Sequence, residues 1–106
     1  MYKLIALDMD GTTFNENHEI SDEVKDSLFY AMSKGVKIAF ISGREEFTVK
    51  EILKNLNLDT YYGALNGSLI STTYSEVPKF VKSLEKKYLF DILEIIENNG
   101  FSPIIF

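Results

Sequence analysis

Three short apolar runs alternate with two stretches of helical periodicity, and each run ends in small polar or acidic residues. Lys3 to Met9 reads as a buried strand running into Asp8-Met9-Asp10-Gly11-Thr12. Val36 to Ile41 is a second, β-branched strand that ends in Ser42-Gly43-Arg44. Tyr61 to Leu65 is a third, leading into Asn66-Gly67. Between the first two, Ser21 is an N-cap candidate with acidic Asp22 and Glu23 behind it. Val24, Leu28, Ala31 and Met32 then recur at helical spacing as far as Gly35. Glu45 to Asn57 repeats the pattern with Val49, Ile52, Leu53 and Leu56. The order strand, helix, strand, helix, strand predicts a parallel sheet with right-handed crossovers. In such sheets ligands bind outside the carboxyl ends of the strands, so all three polar endings fall on the edge where chemistry is expected.

The remainder is less regular. Asn66-Gly67 is a strong hairpin signal, with Ser68 to Ser71 as the returning strand. Thr72 to Ser83 contains Pro78 and reads as an extended stretch or linker. Lys86 to Asn99 is a helix with Leu89, Ile92, Leu93 and Ile96 on one face, stopped by Gly100. Phe101 to Phe106 begins a further strand. The closing Ile104-Ile105-Phe106 is a bare apolar end, expected either to dock in the sheet or to mark the first part of a longer protein. Phe80, Tyr88, Phe90 and Phe101 are expected to serve packing.

Totals remove several function classes. At 106 residues the chain is one ordinary domain or less. The net charge of -5, with the eleven Lys and Arg scattered, argues against a nucleic-acid partner. Cysteine is absent, which excludes disulfides, thiol catalysis and zinc–thiolate sites. No apolar stretch approaches the roughly 20 residues of a membrane span, so no membrane partner is expected. The N-terminus lacks the pattern of a signal peptide, and the cytoplasm is the expected compartment.

Asp8 and Asp10 carry the sharpest chemistry. Two apart on an extended chain, they face the same way, roughly 7 Å apart. Like charges held at about 4 Å repel by about 4 kcal/mol at an effective dielectric of 20. Such a pair calls for a cation, a proton or both, and magnesium takes hard oxygen ligands from one or two carboxylates. Two blander readings stand beside this one, a solvated Asp-x-Asp-Gly turn and a calcium loop. The calcium pattern departs at its fifth, sixth and twelfth positions, where Thr12, Thr13 and Glu19 stand. Ser42 lies just before a predicted helix start, where backbone N–H groups favour an anion. Arg44 is expected either to orient a substrate or to pair with a nearby acid. Asn66 is either a turn residue or a site residue. His18, the single histidine, lies in a polar loop and reads as solvated.

Taken together, Leu7-Asp8-Met9-Asp10-Gly11-Thr12, Ile41-Ser42-Gly43-Arg44 and Asn66-Gly67 resemble the haloacid dehalogenase superfamily of phosphohydrolases, in its Cof-like branch. The resemblance covers residues 1 to about 75, and a cap start fits the residues beyond. It implies an α/β fold, a Rossmann-like parallel sheet with flanking helices, plus the start of an α/β cap domain. The implied division is 1–82 for the core and 83–106 for the opening of the cap. It implies a Mg2+-dependent phosphatase acting on a small phosphorylated metabolite, with a sugar phosphate as the expected class. Asp8 would be the nucleophile that becomes an aspartyl phosphate, and Asp10 the general acid and base. Asp8 and Asp10 would also hold the metal, Asp10 through its backbone carbonyl. Ser42, Gly43, Arg44, Asn66 and Thr12 would form the phosphate and substrate surroundings, with Thr12 and Thr13 arranging the loop.

The family also uses a Lys and a later acidic pair, both downstream of the cap. Neither has a counterpart here, since Lys86 and Lys87 belong to the cap-helix pattern. The chain is therefore expected to be the N-terminal part of a longer protein, with the C-terminal part of that protein as its partner. Two alternatives share the pattern: a phosphomutase of the same superfamily, and a non-catalytic module that binds a phosphoryl group or a partner chain.

Overall fold

A computed structural model describes all 106 residues. Strands β1 (Leu4–Asp8), β2 (Lys37–Ile41) and β3 (Tyr61–Ala64) alternate with helices α1 (Asp22–Ser33) and α2 (Glu46–Asn55). A 3₁₀ turn at Leu65–Gly67 leads into β4 (Leu69–Thr72) and β5 (Phe80–Val81), with α3 (Lys86–Asn98) after them. The sheet order is β1-β2-β3-β4-β5. The first three strands are parallel, while β4 and β5 return antiparallel. The expected sheet is present, with an antiparallel extension on one side.

Local chemistry explains where the helices start. Ser21 caps α1 by accepting the Val24 N–H at 3.4 Å. Helix α2 starts at Glu46, later than expected, because Glu45 is itself the cap. The Glu45 carboxylate accepts the Phe47 and Thr48 N–H groups, each at 2.7 Å, and also the Thr48 hydroxyl. This corrects the expectation that the helix end beside Ser42 awaits an anion. Its donors are already taken by a carboxylate of the chain. The Thr48 hydrogen bond holds the Glu45 carboxyl below the usual range, aided by the two backbone N–H groups. A depressed folded pKa adds stability at neutral pH that is lost as pH falls through the folded value. Glu45→Ala should therefore lower the melting temperature at pH 7, and the deficit should shrink below about pH 4. Thermal unfolding monitored by circular dichroism at both pH values checks this.

Right-handed crossovers between neighbouring strands place α1 and α2 on one face of the sheet. The core agrees: Leu28 of α1 and Val49 and Leu53 of α2 cluster with Ile38, Phe40, Tyr62, Ala64 and Leu69. Phe14, from the loop after β1, joins them edge-on to Phe40 with ring centroids 6.1 Å apart. The other face carries a register row of Asp8, Ile41, Gly63, Ile70 and Phe80. On it Leu4, Ile41, Ile70 and Phe80 are 52%, 42%, 41% and 49% exposed. Strand β1 is thus not the buried strand its apolar sequence predicts. It pairs on one edge alone, and one of its faces has no helix over it.

The turn after β3 also differs from expectation. Leu65, Asn66 and Gly67 all have positive φ, at +50°, +54° and +89°. With Ala64 paired to Leu69, the connection spans residues 65–68 instead of a two-residue hairpin. Beyond it, Phe101 to Phe106 forms no strand, because no neighbouring strand offers it hydrogen bonds. Phe80, Tyr88, Phe90 and Phe101 are exposed and pack no core, since α3 buries none of its residues. No helix is long and apolar enough to cross a membrane.

Candidate functional site

Strand β1 stops where Asp8 pairs with Ile41, and the chain turns at Gly11, whose φ is +73°. Met9 is buried in the core, whereas Asp8 and Asp10 on either side of it are exposed. The alternation of an extended chain has turned both carboxylates away from the core, as their spacing predicts. The loop holds Asp8 firmly. The Thr12 hydroxyl donates to Asp8 Oδ2 at 2.9 Å, and the Thr13 hydroxyl donates to the Asp8 carbonyl at 2.7 Å. Thr12 therefore acts on Asp8 directly. Asp8 Oδ1 carries no protein hydrogen bond, and neither does the Asp10 carbonyl.

The second strand end lies alongside. Ser42 is buried, its N–H bonded to the Gly63 carbonyl at 2.9 Å and its Oγ accepting the Arg44 N–H at 3.1 Å. The third end is tied to it by two backbone bonds. Asn66 N–H donates to the Ser42 carbonyl at 3.1 Å, and Leu65 N–H to the Arg44 carbonyl at 2.8 Å. Gly43 lies against the Asn66 amide, where a Cβ would stand 3.1 Å from Asn66 Oδ1. Asn66 is a turn residue in the left-handed region, and this turn brings its amide to Gly43.

Arg44 joins this pair of strand ends to the first. Its Nε donates to Asp10 Oδ2 at 2.8 Å and its Nη2 to Asp10 Oδ1 at 2.7 Å, a two-pronged pair. Of the two roles expected of Arg44, the structure displays pairing with the acid. The Arg44 hydrogen bonds hold the Asp10 carboxyl below the usual carboxylate range, against a small opposing effect of burial. The same bond raises Arg44. Nη1 of Arg44 has no acceptor in the protein.

His18 was not legible as a site residue. Its Nδ1 lies 3.0 Å from Arg44 Nη2 and 3.3 Å from Asp10 Oδ1. A lone histidine in a polar loop gives no local reason to meet a residue 26 positions away; only the crossover brings the two together. The expectation of a purely solvated side chain is corrected, although the imidazole remains 59% exposed.

No cluster of three or more His, Cys, Asp or Glu side chains is present. The donors available are Asp8 Oδ2, which keeps a lone pair beside its Thr12 bond, and the free carbonyl of Asp10, both hard oxygens. They suit magnesium, which takes a few protein oxygens and keeps several waters. The pair fits that ion as two of its ligands and no more.

The family model described as haloacid dehalogenase-like hydrolase matches residues 5–106. YxeH of Bacillus subtilis (strain 168) is 46% identical over 78 residues, covering 71% of this chain and 29% of the relative. The 5-amino-6-(5-phospho-D-ribitylamino)uracil phosphatase YcsE of the same organism is 41% identical over 68 residues, covering 64% and 27%. A solved haloacid dehalogenase-like hydrolase from B. subtilis superposes with a TM-score of 0.85 at 32% identity, over 92% of this chain and 34% of that one. The chain thus spans about a third of the length of the relatives it matches.

Proposed function

Because the chain belongs to the haloacid dehalogenase-like hydrolases, we propose that its protein is a phosphatase for a small phosphorylated metabolite, with Asp8 as nucleophile. Its residues 83–106 open a cap domain on this reading. The observation that carries the proposal is the meeting of Asp8, Asp10, Ser42 and Arg44 at one sheet edge. The relative YcsE bears the name of a phosphatase for one such metabolite.

The free Oδ1 of Asp8 attacks phosphorus, and the bond to the leaving oxygen breaks. That oxygen takes a proton from Asp10. Water then attacks the aspartyl phosphate and gives its proton to Asp10, so that inorganic phosphate leaves and both side chains are restored. Thr12 fixes the Asp8 carboxylate by holding Oδ2, which leaves Oδ1 as the attacking atom. Ser42 and the Gly43 amide border the transferring group. Asp8 Oδ2 and the Asp10 carbonyl would hold magnesium, which would supply charge neutralisation at the phosphoryl oxygens.

The Arg44 pair keeps Asp10 ionised in the resting site. A phosphoryl dianion at the unpartnered Nη1 edge offsets the guanidinium charge, and Asp10 then rises towards protonation. Asp10 takes that proton from solvent as substrate binds, which prepares the acid that the first step needs, and returns it to solvent when phosphate leaves.

The test is hydrolysis of p-nitrophenyl phosphate by the protein from its own gene, with magnesium and with a chelator. Release of phosphate that requires magnesium supports the reading. Equal turnover in the chelator contradicts the metal assignment, and no turnover of any phosphomonoester contradicts the phosphatase.

A further inference from the structure

We infer that His18 is a positioning residue, fixing the guanidinium of Arg44 so that its Nη1 edge faces the phosphoryl site. The kinetic part of this inference rests on the phosphatase reading above; the structural part does not.

The loop between β1 and α1 is built to deliver this side chain. Phe14 anchors its start in the core. Asn15 Oδ1 accepts the N–H groups of Asn17 at 2.9 Å and Glu19 at 3.0 Å. The Asn15 N–H reaches the Glu19 carbonyl at 2.8 Å, and the His18 N–H reaches the Asn15 carbonyl at 3.0 Å. Residues 15–19 thus close on themselves and hold His18 at a φ of +59°. That left-handed backbone carries strain for a residue such as Ala, is better tolerated by His and Asn, and is free of it for Gly.

The hydrogens of Arg44 are shared out in a way that gives the imidazole one task. Nε and one Nη2 hydrogen lie on the Asp10 carboxylate. Nη2 also lies 3.0 Å from His18 Nδ1. Nδ1 is nearer to this donor than to Asp10 Oδ1 at 3.3 Å, and on our inference it accepts, with the ring proton on Nε2. The guanidinium is then held by two residues instead of one. Without His18 it is held by Asp10 alone, and water competes for the exposed edge. His18 touches neither the phosphorus nor the leaving group, so its effect passes through Arg44.

Three variants separate the acceptor from the backbone. His18→Gly accepts the left-handed φ and removes the acceptor. His18→Asn accepts the same φ and places an amide oxygen near the position of Nδ1. His18→Ala lacks the acceptor and carries the strain. The first readout is the Arg44 Nε–H resonance in a nitrogen-15 spectrum, assigned by its loss in Arg44→Lys. Its exchange with water should be slow in the parent and in His18→Asn, and clearly faster in His18→Gly and His18→Ala. The second readout is kinetic. KM for p-nitrophenyl phosphate should rise about five-fold in His18→Gly, the scale of one hydrogen bond, and return towards the parent value in His18→Asn.

If the Gly and Asn variants show the same exchange, both slow or both fast, the positioning role is overturned. If exchange separates them while KM does not move, His18 still holds Arg44, but the assignment of Arg44 to the substrate fails. The two failures are therefore distinct, and the spectrum requires no turnover.

Discussion

Asp8→Asn should lower kcat for phosphomonoester hydrolysis by about 1,000-fold or more, the scale seen when a nucleophile is removed from a covalent mechanism. The fold should survive. Asn keeps the oxygen that accepts the Thr12 hydroxyl, and Asp8 is exposed at the end of an edge strand, so no buried charge is stranded. Matched melting curves for parent and variant establish that point, and initial rates on one phosphomonoester establish the other. A variant that folds and turns over at the parent rate removes Asp8 from the nucleophile's role.

Asp10→Asn should cost about 100- to 10,000-fold, the usual worth of general acid–base catalysis. The loss should depend on the leaving group. An alkoxide needs the proton that Asp10 supplies, whereas p-nitrophenolate leaves without one. The deficit should therefore be larger for a sugar phosphate than for p-nitrophenyl phosphate. A residual deficit should persist with the activated substrate, because Asp10 also accepts the proton of the attacking water. Equal losses in kcat/KM, which reports the steps up to departure of the leaving group, would mean that Asp10 does not protonate that group. The substitution also removes half of the Arg44 pair, so the comparison between substrates carries more information than either rate alone.

The fate of each sequence expectation depends on how local its cause is. The strand endings were legible because Asp, Gly, Ser and Asn stop strands through their own backbone preferences. The alternation of strand and helix then fixes which edge they share. Ser21 and Gly35 mark the ends of α1 in the same local way. Which face is covered is not local. Leu4 and Ile41 have the sequence of buried strand residues, yet they face a side of the sheet on which neither α1 nor α2 lies. The start of α2 was misplaced by a residue because a Glu cap is less common than Ser, Thr, Asp or Asn. Strand β5 escaped notice because a two-residue strand exists through its pairing with Leu69 and Ile70, with little pattern of its own. The reverse held for Phe101 to Phe106, an apolar pattern with no partner to make it a strand.

Within the site, motif residues were legible one by one, but their connections were not. The sequence offers Asp10 and Arg44 as separate candidates 34 positions apart. The parallel pairing of β1 with β2 turns them into an ion pair, and that pair changes what Asp10 does at rest. Thr12 reads both as a phosphate neighbour and as a residue that arranges the loop, and its hydroxyl donates to Asp8.

A nucleophilic Asp8 passes through a covalent phosphoryl group, and quenched turnover traps it. The protein is mixed with excess phosphomonoester and magnesium, stopped in acid during steady state, digested and weighed by mass spectrometry. The peptide that contains Asp8 should gain one phosphoryl group, labile to alkali and absent in Asp8→Asn. Phosphoryl label on a different residue, surviving in Asp8→Asn, would contradict it.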